Sequence, residues 1–216
     1  MVRTLLWWLI PLTMAGYLVA LQFDPFPGRF LLKAFPITAL AMLVLYQARH
    51  QMGVWVGIGL LFSTGGDIAL ALDREQYFVL GLGLFLVAHL CYIFGFFHRF
   101  TANWGQWPVL VALLALGGGM FAYLQPHLGE LLLPVTGYMV VIIAMGIVAA
   151  LRTRRDYVLL IGAVFFIASD SMIALNTFVH DGRLAWAPRF IMLTYYIAQL
   201  LIAVSALRER HKAPIA

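Results

Sequence analysis

The stretch Leu61-Phe62-Ser63-Thr64-Gly65-Gly66-Asp67-Ile68-Ala69-Leu70 decides how the chain is read. It is apolar or small almost throughout, has no basic residue, and holds one carboxylate. The run extends back to Gly53 and forward to Leu72, long enough for a helix to cross about 30 Å of hydrocarbon. A carboxylate at membrane depth costs at least about 2.5–3.5 kcal/mol on insertion scales, so it ordinarily faces a cavity, a partner or a substrate. A second stretch repeats the anomaly: Val164-Phe165-Phe166-Ile167-Ala168-Ser169-Asp170-Ser171-Met172-Ile173-Ala174-Leu175.

The whole chain matches that setting. Of its 216 residues, 63% are hydrophobic and 11% charged, against about 45–50% and 25% in soluble domains. Eight apolar runs are long enough to span, at about 5–23, 30–48, 53–72, 77–97, 107–124, 131–151, 157–177 and 188–207. Short breaks with charge, Pro or Gly separate them, so the expected fold is an all-α, polytopic transmembrane bundle with residues 1–216 as one domain. The first run, preceded by Arg3, is longer than a signal-peptide core and reads as a retained span. The single cysteine, Cys91, excludes an internal disulfide and reads as a small buried hydrophobe.

The 14 Lys and Arg against 9 Asp and Glu give +5, but the surplus lies at helix ends and is no nucleic-acid signal. Nine basic residues fall on one side of the bundle (Arg3, Arg49, Arg99, Arg152, Arg154, Arg155, Arg208, Arg210, Lys212) and four on the other (Arg29, Arg74, Arg183, Arg189). Cytoplasmic loops are enriched in Lys and Arg, so both termini are expected in the cytoplasm, and the compact layout suggests a bacterial cell membrane. Asp67 and Asp170 then sit roughly 8–10 Å below the outer surface, at 1.5 Å per residue. Lys33 enters from that surface to similar depth, and His89, Tyr195 and Gln199 come in somewhat deeper.

A shift of 103 positions superposes Ile58 on Ile161, Gly59 on Gly162, Phe62 on Phe165, Asp67 on Asp170, Ala71 on Ala174 and Tyr92 on Tyr195. Four spans per half describe a 4+4 parallel internal repeat in which the two aspartates are equivalents. Apolar chains also match one another by chance.

Each polar residue has a structural and a functional reading. Asp67 has Ser63 one turn before it and Gly65-Gly66 beside it, and Asp170 lies between Ser169 and Ser171; either carboxyl is a cross-helix anchor or a catalytic group. Lys33 snorkels to the surface, neutralises an aspartate, or holds a phosphate. His89 and Tyr92 share a helical face, where a histidine is either a satisfied core residue or a ligand. Tyr195 and Gln199 share another face, with Tyr196 beside them, and Asn176 is either a helix-end residue or a ligand contact. Trp7, Trp8, Trp104, Trp107 and Trp186 lie near the interfaces, as an aromatic belt requires. Two Asp, one His and a Ser are a thin zinc set without His-x-x-x-His or Glu-x-x-His spacing, and His50, His98, His127, His180 and His211 fall in loops or the tail. No metal, cofactor, nucleic acid or obligate protein partner is expected, and no Gly-x-Ser-x-Gly nucleophile elbow occurs.

Taken together, the eight spans, Phe62-x-x-x-Gly66-Asp67, and Phe166-x-x-Ser169-Asp170-Ser171-x-x-Ala174-Leu175-Asn176 resemble the YhhN family, the lysoplasmalogenases. Lys33 with Pro36 behind it, His89-x-x-Tyr92 and Tyr195-Tyr196-x-x-Gln199 support the resemblance, which covers nearly the whole chain. The Lys33-to-Pro36 gap departs from the adjacent Lys-Pro of many members. The resemblance implies hydrolysis of the vinyl-ether bond of a lysophospholipid, the lysoplasmalogen, within membrane lipid. It implies Asp67 and Asp170 as catalytic groups, with Lys33, Ser63, His89, Tyr92, Ser169, Asn176, Tyr195, Tyr196 and Gln199 around the substrate. Such cleavage protonates the alkenyl carbon beta to oxygen and passes through an oxocarbenium ion, as glycosidases do with two carboxyls. The more apolar segment favours Asp170 as the acid, and Ser63 with the glycine backbone favours Asp67 as the carboxylate. A proton- or cation-coupled transporter is the competing class for two intramembrane aspartates.

Overall fold

Inside hydrocarbon a backbone must satisfy its own hydrogen bonds, and a helix does so within one segment. The computed structural model follows that rule run by run. It describes residues 2–101, 104–152 and 156–209, with the side chains of residues 2–7 and Trp104 outside that description. Of the residues singled out above, Arg3, Trp7, Trp104, Arg154, Arg155, Arg210, His211 and Lys212 therefore have side chains outside the described set.

Eight helices follow in order: α1 (Val2–Ala20), α2 (Arg29–Gln47), α3 (Gln51–Leu72), α4 (Phe78–Phe97), α5 (Trp107–Leu124), α6 (Leu132–Ala150), α7 (Tyr157–Ala174) and α8 (Ala187–Glu209). The described residues hold no β-strand. Seven of the helices are long and apolar enough to cross a membrane, whereas the described apolar part of the first, Trp8–Phe23, is shorter. The protein is an integral membrane protein of the all-α class.

Local chemistry sets the helix ends. Gly28 precedes α2 with φ of 75°, a left-handed conformation that glycine adopts without steric cost. The His50 ring accepts from the Gly53 N–H at 3.3 Å and caps α3, and Asp156 caps α7 by accepting from the Leu159 N–H at 3.2 Å. The α7 helix runs on into a π-helical turn, Leu175–Val179.

The chain divides into two compact units, residues 1–95 with 202–216, and residues 96–201. In the first unit α2 packs on both α1 and α3. Arg29 ties the start of α2 to the end of α3, donating from Nε to the Ala71 carbonyl at 2.8 Å. The α3–α4 seam is close: a Cβ on Gly59 would lie 2.4 Å from the Tyr92 ring, and one on Gly66 2.6 Å from the Phe85 ring. Small residues at such seams let membrane helices approach where no hydrophobic drive between them exists. In the second unit α6 packs on α5 and α7, and a Cβ on Gly146 would come within 2.9 Å of Ile167. The buried share differs sharply along the chain, 56% for α3 against 11% for the span containing α5, so α5 leaves most of its surface uncovered.

Candidate functional site

Asp67 projects from the most enclosed part of α3, where Ser63, Thr64, Gly66 and Asp67 are all buried. The carboxylate retains 1% exposure. Lys33, four residues into α2, places its Nζ 3.0 Å from Asp67 Oδ1. Among the three roles open to that lysine, the structure puts it on the aspartate. Pro36 follows one turn later and removes the N–H that would otherwise reach the Leu32 carbonyl, which loosens the backbone beside Lys33. Ion pairing offsets part of the desolvation cost that each charge alone would carry in a low-dielectric interior.

Ser63 and Tyr92 join α3 to α4 through a 3.3 Å hydroxyl contact in which either oxygen can donate. His89 is fully buried, its ring edge-on to Tyr92 with 6.3 Å between centroids. Its Nδ1 lies 2.6 Å from the Phe85 carbonyl, which fixes the proton on Nδ1 and leaves Nε2 as the acceptor nitrogen. Ser63, His89 and Tyr92 therefore form one polar cluster in the first unit. Tyr17 on α1 was not singled out by the sequence, yet it is buried and within electrostatic reach of Asp67.

Asp170 occupies a different setting in the second unit. It is half-buried, and its Oδ2 accepts a hydrogen bond from the Tyr138 hydroxyl on α6. Tyr138 too was missed, because one tyrosine among nine on apolar helices carries no motif. Its only sequence signal is membership of the Val135, Tyr138, Ile142, Met145 and Ala149 face, all buried.

The remaining expected site residues lie on α7, its π-helical turn and α8. Ser169 donates to the Ile191 carbonyl at 3.1 Å and fastens α7 to α8. Asn176 is buried in the π-helical turn and holds the following loop: its side-chain oxygen accepts from the Leu184 N–H at 3.2 Å, and its carbonyl from the Gly182 N–H at 2.6 Å. Tyr195 and Tyr196 are buried on α8, with Tyr195 packed edge-on to Phe166 at 5.5 Å, and Gln199 is fully buried one turn on. Among the described residues no three His, Cys, Asp or Glu side chains gather as a metal-ligand set.

Comparison with known proteins places this geometry. The YhhN family model matches residues 28–206. A lysoplasmalogenase of Mycobacterium tuberculosis is 34% identical over 178 residues, covering 78% of this chain and 67% of the relative. Human lysoplasmalogenase TMEM86A is 33% identical over 198 residues, with 83% and 78% covered. Mouse lysoplasmalogenase TMEM86B is 31% identical over 215 residues, with 94% and 87% covered. No solved structure matches the chain. A match over that much of the sequence, with Lys33, Asp67 and Asp170 inside the matched segment, settles the family: the chain belongs to the YhhN family.

Proposed function

We propose that the protein is a lysoplasmalogenase, hydrolysing the vinyl-ether bond of a lysoplasmalogen to a fatty aldehyde and a glycerophospho-headgroup. The observation that carries this reading is the unlike treatment of two intramembrane carboxyls, one paired with a cation and one with a neutral hydroxyl. Lys33 lies 3.0 Å from Asp67 as its counter-ion, and Asp67 is the proposed carboxylate. Asp170, on an apolar helix and accepting from the Tyr138 hydroxyl, is the proposed proton donor.

Such hydrolysis begins with protonation of the alkenyl carbon beta to oxygen, passes through an oxocarbenium ion to which water adds with loss of a proton, and ends as the hemiacetal collapses to aldehyde and the glyceryl hydroxyl, with one water consumed. Asp170 is the proposed donor of the first proton, and Asp67 the proposed carboxylate that takes a proton from water. The Ser63, His89 and Tyr92 cluster and the Tyr195, Tyr196 and Gln199 face are the proposed substrate contacts. Both termini are proposed to be cytoplasmic, in a bacterial cell membrane, from the nine-to-four distribution of basic residues.

Purified protein in detergent, given lysoplasmenyl-ethanolamine, should release aldehyde. Release no greater than from boiled protein would remove the reading and leave the transporter class. Asp67→Asn and Asp170→Asn should each lose at least about a hundredfold in kcat while remaining folded. An active double variant would refute the two-carboxylate mechanism. A C-terminal reporter that reads outside the cytoplasm would reverse the orientation.

A further inference from the structure

We infer that Tyr138 is a positioning residue that orients the Asp170 carboxyl for proton donation; this rests on the reading of Asp170 as the acid of vinyl-ether hydrolysis. The residues Val135, Tyr138, Ile142 and Met145 recur every three or four positions, so they form one buried face of α6. Gly146 lets α6 come close to α7, since a Cβ there would stand 2.9 Å from Ile167. The approach brings the Tyr138 phenol, 7% exposed, onto Oδ2 of Asp170. The hydroxyl of nearby Thr136 is turned back to its own helix, donating to the Leu132 carbonyl at 2.6 Å.

A protonated carboxyl can carry its hydrogen on either oxygen and can rotate about its terminal bond. A phenol that donates to Oδ2 makes that oxygen an acceptor. The transferable proton is thereby assigned to Oδ1, and the carboxyl plane is fixed. When Asp170 gives up its proton, the same phenol hydrogen bond remains and stabilises the carboxylate that forms. Tyr138 acts through Asp170 and exchanges no proton with substrate. The ionisable side chains on the helices joined to α7 are Tyr138 on α6 and Arg189, Tyr195, Tyr196, Arg208 and Glu209 on α8, and Tyr123 lies on α5, which packs on the π-helical turn that follows α7.

The test is aldehyde release by full-length protein in detergent, followed across pH for wild type and Tyr138→Phe. The variant should lose about ten- to a hundredfold in kcat with KM unchanged. The high-pH limb of its kcat profile should move upward, because the lost donor no longer favours the ionised Asp170. Tyr138→3-fluorotyrosine keeps the shape of the side chain and strengthens the donor, and should move the limb downward. In an Asp170→Asn background, Tyr138→Phe should cause no further loss. A Tyr138→Phe protein with wild-type kcat and an unmoved limb overturns the inference alone, as does an equal loss in both backgrounds. If Tyr138→Phe does not fold, an unmoved limb in the fluorotyrosine protein overturns it equally. Wild-type protein that releases no aldehyde removes the functional reading, and the inference with it.

Discussion

The two units solve the same problem, a carboxyl inside an apolar helix, with different chemistry. In each, a helix hands its successor the group that meets the aspartate: α2 supplies Lys33 to Asp67 on α3, and α6 supplies Tyr138 to Asp170 on α7. Positions related by the 103-residue shift even make corresponding contacts. Ser63 meets Tyr92 in the first unit, and Phe166 meets Tyr195 in the second. What differs is the partner's charge and the depth of enclosure. Asp67 is sealed to 1% exposure beside an ammonium, whereas Asp170 is half-buried beside a phenol. The two carboxyls thus meet unlike partners, an asymmetry that the proposed acid and base roles would use.

The comparison breaks most readily at Lys33. Replacing it by methionine leaves Asp67 buried without its cation, and breaking a buried pair typically costs about 3–5 kcal/mol. Lys33→Met should therefore lower the thermal midpoint in detergent more than Tyr138→Phe does, since a hydrogen bond between neutral groups contributes about 0.5–1.5 kcal/mol. Lys33→Met should also be inactive, because Asp67 loses the ammonium that holds it. Adding Asp67→Asn should recover most of the lost midpoint and none of the activity. Equal midpoints for Lys33→Met and Tyr138→Phe would erase the distinction between the units.

A smaller loss tests how tightly the first unit is packed around its polar cluster. At Gly59 an added methyl would lie 2.4 Å from the Tyr92 ring and 3.1 Å from the Ala88 carbonyl. The ring can turn, but the carbonyl belongs to α4 and cannot move without the helix. Gly59→Ala should cost about 1–3 kcal/mol, the range for overpacking, and should pull the Tyr92 hydroxyl from Ser63. Ser63→Ala isolates that second effect. It removes only the 3.3 Å hydroxyl contact and should cost about 0.5–1.5 kcal/mol. Unfolding midpoints that rank Ser63→Ala above Gly59→Ala in damage would place the strain elsewhere.

Much of this was legible before any coordinates. Hydropathy fixes the spans because hydrocarbon tolerates little else, and observed and expected helix limits agree to within a few residues throughout. The aspartates announce themselves because charge at depth is costly. Depth counting also brought Lys33 level with Asp67, so their pairing was one of three readings and needed only the distance to select it. The rest depended on which way side chains face, which flat hydropathy does not encode. Tyr138 looks like any belt or packing tyrosine until α6 is rotated against α7. Ser169 and Asn176 sit in the right motif, yet their hydrogen bonds go to the backbone at Ile191 and Leu184, which secures the scaffold around Asp170. Gly59 was marked only by the repeat, because its use is an absence of volume that the facing ring alone makes meaningful.

The smallest effect comes from the groove between α5 and α6 in the second unit. The Gly117-Gly118-Gly119 run in α5 has the same composition as a packing seam, but a Cβ on Gly118 would meet nothing within 4 Å. Gly117 differs, because a Cβ there would touch Ile143 on α6 at 2.9 Å. Glycine within a helix is disfavoured relative to alanine by up to about 1 kcal/mol, through the backbone freedom it loses on folding. At Gly118 no steric term opposes that gain. Gly118→Ala should therefore raise the thermal midpoint slightly and leave aldehyde release unchanged, while Gly117→Ala should lower the midpoint. Thermal unfolding of both variants in one detergent decides the matter: a midpoint for Gly118→Ala as low as that for Gly117→Ala would mean that the outer face of α5 is packed against protein, and that the second unit is not open to lipid on that side.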